Sequence, residues 1–263
     1  MSFQPVLPLA GYGGWRFLQR TLDQQQTAFQ RSAPIQRATD YFRDKIGEVR
    51  SAEDLVKDRR LLEVALGAFG LDDDINNKFF IGKILAEGTG SRDALAMKLA
   101  DTRYRTLAAE FGFGDAGGAR TGLSFFADRI IARFEARQFE RAVGAQDNDM
   151  RAAMNVKTAL SDILERTQTE DGRWFSMLGN APLRRVFETA LGLPASIAGI
   201  DLDQQLGEFK DRARATFGTD TLADFADPAQ QEKLIRLFLI RSEAQASAST
   251  SRASVALALL QGA

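Results

Sequence analysis

Three aspartates and two asparagines crowd six positions of the stretch Phe69–Phe80, FGLDDDINNKFF. Carboxylates at that density could hold a hard cation, share a proton in acid–base catalysis, or open a helix. A calcium loop of the EF-hand type starting at Asp72 finds early ligands in Asp72, Asp74 and Asn76. It then needs glycine at its sixth position and glutamate at its twelfth. The chain has Asn77 and Lys83 there, so no metal is expected. Acidic side chains suit the positive end of a helix dipole, and aspartate is a favoured helix-opening residue. Helix initiation is the reading the residues support.

A second candidate is the ladder Arg129, Arg133, Arg137 and Arg141. Four-residue steps drift about 40° each around a helix and draw a slanting basic stripe. Such a stripe could hold an acidic partner or a phosphate backbone. Asp128, Glu135 and Glu140 partly neutralise it, which favours a solvated face. The loop GFGDAGGARTG (112–122) invites a phosphate. A phosphate-binding loop, however, follows a strand and carries Lys then Ser or Thr after its last glycine. Here Arg120-Thr121 precede Gly122, and a helical pattern precedes the loop. GYGGWR at Gly11 lacks the third glycine of a dinucleotide fingerprint. Both stretches read as connectors, and no cofactor is expected.

Composition narrows the chemistry further. Among 263 residues there is no histidine and no cysteine. That removes the commonest general base, every thiolate nucleophile, serine and cysteine triads, and ordinary zinc sites. The chain is read as non-enzymatic, with no catalytic residues; an enzyme built on carboxylates is the remote alternative. Lys plus Arg (34) almost cancels Asp plus Glu (35), leaving a formal charge of −1 and no global field to attract nucleic acid. The fractions of apolar (44%) and charged (26%) residues are those of a soluble globular protein.

The elements that would position these residues are helices. Trp15, Leu18, Leu22 and Phe29 recur at heptad-like intervals and form a candidate partner-binding stripe. Ile35, Ala38, Phe42 and Ile46 repeat the rhythm after Pro34, which suits a first helical turn. Ser51-Ala-Glu-Asp54 spells a capping box. Gly70, Gly88 and Gly112 follow apolar periodic runs, where a left-handed helix end favours glycine. Further helices are expected over 123–143 and 147–166. Phe126, Ile130 and Phe134 lie at core spacing. No strand alternation appears, and the fold class is all-α and multihelical.

LLEVALGAFGLDDDI and LRRVFETALGLPASI align at an offset of 122, pairing Leu61 with Leu183, Gly70 with Gly192 and Ile75 with Ile197. LAMKLAD (95–101) resembles LADFAD (222–227). An internal duplication is therefore expected, with N-terminal helices over 1–50 and a first unit over 51–112. A connector with long helices follows over 113–171, then a second unit over 172–240. An Ala/Ser-rich tail spans 241–263; its stretch EAQASASTSRAS is read as mobile, and the apolar VALALLQGA that follows is expected to prefer a partner to water. Where Asp72–Asp74 stand in the first copy, the second has Pro194, Ala195 and Ser196, which again suits helix initiation.

The amino terminus has no basic leader and its apolar run is broken by Pro5 and Pro8, so no signal peptide is expected. No stretch reaches the roughly 18 apolar residues of a membrane span. The cytoplasm is the default compartment.

The runs SAEDLVKDRRLLEVALGAFGLDDDINNKFFIGKIL, LADTRYRTLAAEFGF and FERAVGAQDNDMRAAMN resemble the alphaproteobacterial family called domain of unknown function 1217 (DUF1217). WFSMLGNAPLRRVFETALGLP and FADPAQQEKLIRLFL fit its second half. The resemblance implies a multihelical, duplicated fold and genes within flagellar clusters; it supplies no catalytic residues. It thus implies a flagellum-associated structural or assembly protein whose partners are other flagellar proteins, exported without a cleaved signal if it is axial. A cytoplasmic export chaperone for another flagellar subunit is the alternative. Partner identity and oligomeric state are not encoded in any motif.

Overall fold

The structure is a computed structural model. It describes residues 3–99 and 101–261, the side chains from 249 onward excepted. Among the described residues the regular elements are α-helices and 3-10 turns, with no strand. No described helix is long and apolar enough to cross a membrane. The chain divides into two compact units, Met1–Pro5 with Leu22–Ala142 and Val6–Thr21 with Val143–Ala263. These units differ from the five segments read from the sequence, because residues 1–50 are shared between them rather than forming a separate region. The division falls inside α1 (Gly11–Gln30) and near the end of the helix that begins at Phe126.

The first unit holds α2 (Ala33–Lys45), α3 (Ala52–Lys57), α4 (Arg59–Ala68), α5 (Lys78–Glu87), α6 (Leu95–Lys98), α7 (Thr102–Phe111) and most of α8 (Phe126–Gly144). Its centre is α4. The run LLEVALGA leaves almost no polar face, and Leu61, Leu62 and Val64 through Ala68 are all buried. Gly67 lets α8 approach closely: a Cβ there would lie 2.8 Å from the ring of Phe134. Pro34 occupies the first turn of α2. The capping box at α3 is complete, with the Asp54 amide donating to Ser51 Oγ (3.2 Å) and the Ser51 amide to Asp54 Oδ2 (3.1 Å).

The second unit contains α9 (Asn148–Arg166), α10 (Glu170–Leu178), α11 (Ala181–Leu191), α12 (Leu202–Phe217) and α13 (Pro228–Gln261), joined by the leading half of α1. Its core is aromatic. Trp174, Phe187, Phe209 and Phe225 are fully buried. Ring centroids lie 5.8 Å apart for Trp174–Phe187 and 5.0 Å for both Phe187–Phe225 and Phe217–Phe225, in edge-to-face arrangements.

Several local devices occur in both units. Asp58 caps α4 by accepting from the Leu61 amide (3.1 Å), and Asn180 caps α11 by accepting from the Leu183 amide (3.2 Å). Gly70 and Gly192 both have φ +68°. The following amides, Leu71 and Leu193, reach back five residues to Leu66 O (3.0 Å) and Glu188 O (2.9 Å). That is the Schellman arrangement, which needs a residue free to turn left-handed. A 3-10 turn follows each, Asp72–Asn76 and Ala195–Gly199. A later pair, Phe111-Gly112 and Phe217-Gly218, ends α7 and α12 with left-handed glycines.

That second landmark corrects one alignment. LAMKLAD lies before Phe111-Gly112, whereas LADFAD lies after Phe217-Gly218. The first is an α-turn leading into α7 and the second a 3-10 turn leading into α13, so they occupy different places in their units. Two short apolar-acidic runs matched by composition, not by position in the fold.

The described backbone of the tail is helical. Glu243–Ser254, read as a mobile linker, continues α13 as helix. The stretch has no glycine or proline, and its alanines, glutamine, glutamate and arginine all favour helix. How Val255, Leu257, Leu259 and Leu260 are covered lies outside the described side chains.

Candidate interaction site

The residues with chemical potential are engaged within their own unit. On α8, Arg129 pairs with Glu110. Arg133 lies over the ring of Phe69, 5.4 Å from its centroid. Arg137 bonds Glu140 at 3.0 Å. Arg141 pairs with Asp72 at 2.8 Å. Arg129, Arg133 and Arg141 are exposed and Arg137 is half-buried, so the stripe faces solvent, while Arg129 and Arg141 also tie α8 to α7 and the aspartate turn. The four-residue spacing was read correctly; what faces it could not be.

The aspartates themselves need a correction. They form a 3-10 turn without any side-chain cap bond. Their carboxylates act across the unit instead. Asp72 Oδ1 accepts from Gln138 Nε2 (2.6 Å) as well as Arg141. Asp74 accepts from Tyr104 Oη (2.7 Å) and Asn77 Nδ2 (2.7 Å), while Asp73 faces solvent. Burial and the bond to Asp74 push the Tyr104 phenol up to about 12, so it remains a donor. A turn rather than a full helix leaves these carboxylates at the rim of the unit, where neighbouring donors reach them. Among the described residues no group of three or more His, Cys, Asp or Glu could hold a metal ion.

The glycine loop is closed on itself. The amides of Asp115, Gly118 and Arg120 donate to Gly112 O (3.1 Å), Asp115 O (2.8 Å) and Phe111 O (2.9 Å). Three of the loop's amides thus already have acceptors and are not free to cradle a phosphate. Thr121, buried, donates from Oγ1 to Val49 O at 2.6 Å. Two open clefts lie beside α4. One, of about 180 Å³, is lined by Arg59, Glu63, Leu66, Asp72, Ile75 and Arg141. The other, of about 400 Å³, is lined by Pro34, Arg37, Ala38, Arg60 and Glu63.

In α1, Trp15, Leu18 and Phe29 are buried and Leu22 is half-buried. As folded, the candidate partner-binding stripe therefore serves as core. Phe29 packs edge-to-face on Phe139 at 5.6 Å. The most open large apolar side chain described is Phe79, at 87% exposure.

The site that sequence reasoning missed is on α13. Glu232 receives Tyr12 Oη (2.7 Å), Trp15 Nε1 (3.4 Å) and Gln19 Nε2 (3.1 Å), with the Arg16 guanidinium at 3.7 Å. Burial would raise its carboxyl, but the donors outweigh this and hold it below the ordinary glutamate range. More than 200 residues separate the partners, and no sequence signal links them.

Taken together, these features define a multihelical all-α protein whose polar side chains fasten helices to one another. The family model described as protein of unknown function (DUF1217) matches residues 68–231, more than half of the chain. The protein belongs to that family. Its structure is similar to the crystal structure of a protein from Agrobacterium tumefaciens, with a TM-score of 0.70 and 27% identity, covering 92% of this chain and 99% of that one. No curated protein matches the sequence.

Proposed function

We propose that this protein is a non-enzymatic, flagellum-associated structural or assembly component that works through contacts with other flagellar proteins. The observation that carries the reading is how the reactive-looking side chains are used. Asp72, Asp74, Arg129 and Arg141 bond to Gln138, Tyr104, Glu110 and to one another, as fasteners do rather than as a catalytic set. The flagellar setting rests on the gene-cluster context that the family resemblance implies. An epitope-tagged chain is expected in purified hook–basal bodies or in the culture supernatant of flagellated cells, and deletion of its gene is expected to impair swimming. Tagged protein found wholly in the cytosol, with unimpaired swimming in the deletion strain, would overturn the reading. Cytosolic protein with impaired swimming would favour the second one, an export chaperone that holds another subunit's helix. That alternative draws support from the seat that the leading half of α1 occupies on α13.

We also propose that the two units descend from one duplicated helical unit. The shared Asp58/Asn180 caps and Gly70/Gly192 helix ends support it. An experimental structure in which segments 58–75 and 180–197 differed in helix end or chain direction would contradict it.

A further inference from the structure

The leading half of α1 combines an unusual grip with a weak start. Its polar hold on α13 converges on one carboxylate, Glu232, which takes Tyr12, Trp15 and Gln19 as hydrogen-bond donors and Arg16 as an ion-pair partner. Its first turn contains Gly11, Gly13 and Gly14 and no acidic residue, a composition that opposes helix formation in isolation. The fit beneath is nevertheless close. A Cβ on Gly14 would collide first with the carbonyl oxygen of Leu9 in the same segment and also lie 2.6 Å from Met150 Cε on α9, and one on Gly11 would meet the Glu243 carboxylate on α13. Trp15 and Leu18 are buried, and the Trp15 indole reaches Glu232. A helix that is poorly stable alone holds its conformation only while docked.

We infer that residues 11–21 are a strap latched by Glu232. The strap leaves and re-enters as a unit while α9–α12 stay folded, and it occupies a seat able to take a helix from another polypeptide. The occupant's chemistry follows from the seat. It must be an amphipathic helix with a large aromatic and an aliphatic residue three apart, here Trp15 and Leu18. It must also bring N–H or O–H donors on the adjoining face for the carboxylate, as Tyr12 and Gln19 do, and a small residue facing Met150. The strap is then an autoinhibitory stand-in for such a partner. Nothing in this inference depends on the flagellar assignment.

The full-length chain carrying Tyr12→Phe, Trp15→Ala and Gln19→Ala weakens the strap and leaves the seat intact. In hydrogen–deuterium exchange, amides 11–21 should exchange about tenfold or more faster, while those of 181–191 keep their wild-type rates. A fluorescein-labelled peptide of residues 8–24, followed by anisotropy, should then bind this variant at least about tenfold more tightly than it binds the wild-type chain. Adding Glu232→Gln should weaken the peptide again by about tenfold. The conservative pair Tyr12→Phe/Gln19→Ala, which keeps Trp15, provides the same readout if the triple variant melts early. Exchange that rises equally in 11–21 and 181–191 would make the segment ordinary core and end the proposal. So would fast exchange of 11–21 without peptide binding, because the seat would then accept no second helix.

Discussion

Trp174→Ala is expected to cost about 3–5 kcal/mol, the range for truncating a large buried aromatic. The indole is fully buried, with Phe187 on one side and Phe209 at 6.5 Å. Its Nε1 donates to Asp220 O at 2.9 Å. Truncation removes the edge-to-face contact with Phe187 and the tilted one with Phe209, opens a cavity, and leaves a main-chain carbonyl without its donor. The last effect separates from the others in Trp174→Phe, which restores most of the ring and should cost only about 0.5–1.5 kcal/mol, the range for losing one hydrogen bond at the half-buried Asp220. Against a total domain stability of about 5–15 kcal/mol, the alanine variant should show a large drop in urea midpoint by circular dichroism. A midpoint within error of wild type would show that the aromatic cluster does not hold the unit together.

Gly88→Ala should be nearly as damaging for a different reason. Gly88 ends α5 with φ +65° and ψ −148°, a conformation an L side chain rarely adopts. A Cβ would also lie 2.6 Å from Asp115 Oδ1 and 2.7 Å from the carbonyl carbon of Gly114. The backbone cannot yield easily, because the Thr89 amide is bonded to Asp115 at 2.6 Å. Strain of this kind costs about 1–3 kcal/mol by itself, and the collision adds to it. Gly117→Ala is the matched control, since its Cβ would meet nothing within 4 Å and its φ is ordinary. That variant should melt at or slightly above the wild-type temperature, because alanine reduces the freedom of the unfolded chain by about 0.4–1 kcal/mol. Equal melting temperatures for the two variants would refute the argument from geometry.

The difference between these glycines marks where the sequence was legible. Helix ends depend on residues a few positions apart, so the Ser51–Asp54 box and the Gly70, Gly112 and Gly192 ends could be read directly. The apolar rhythm of α1 identified the helix and its buried face for the same reason. Side-chain partners from distant elements could not be read. Periodicity placed Arg129, Arg133, Arg137 and Arg141 on one stripe, but Glu110, Phe69 and Asp72 become their neighbours only once α4, α7 and α8 pack. Glu232 lies within QQEKLIRLF, where a lone carboxylate on a helix looks like any surface acid. The aspartate turn misled in the opposite direction: local propensity suggested a cap, and tertiary donors claimed the carboxylates instead.

The chain's two tryptophans, Trp15 and Trp174, both belong to the unit formed by Val6–Thr21 and Val143–Ala263. The other unit carries Tyr41 and Tyr104 but no indole. Excitation at the red edge of aromatic absorption therefore interrogates one half of the molecule and is blind to the other, whereas the far-ultraviolet peptide signal sums over both. If the halves melt together, the two traces coincide. If they melt apart, emission reports the transition of the indole-bearing half alone and the remaining dichroic change belongs to its neighbour, so the unlabelled protein already carries a built-in reporter for one of its two folding units.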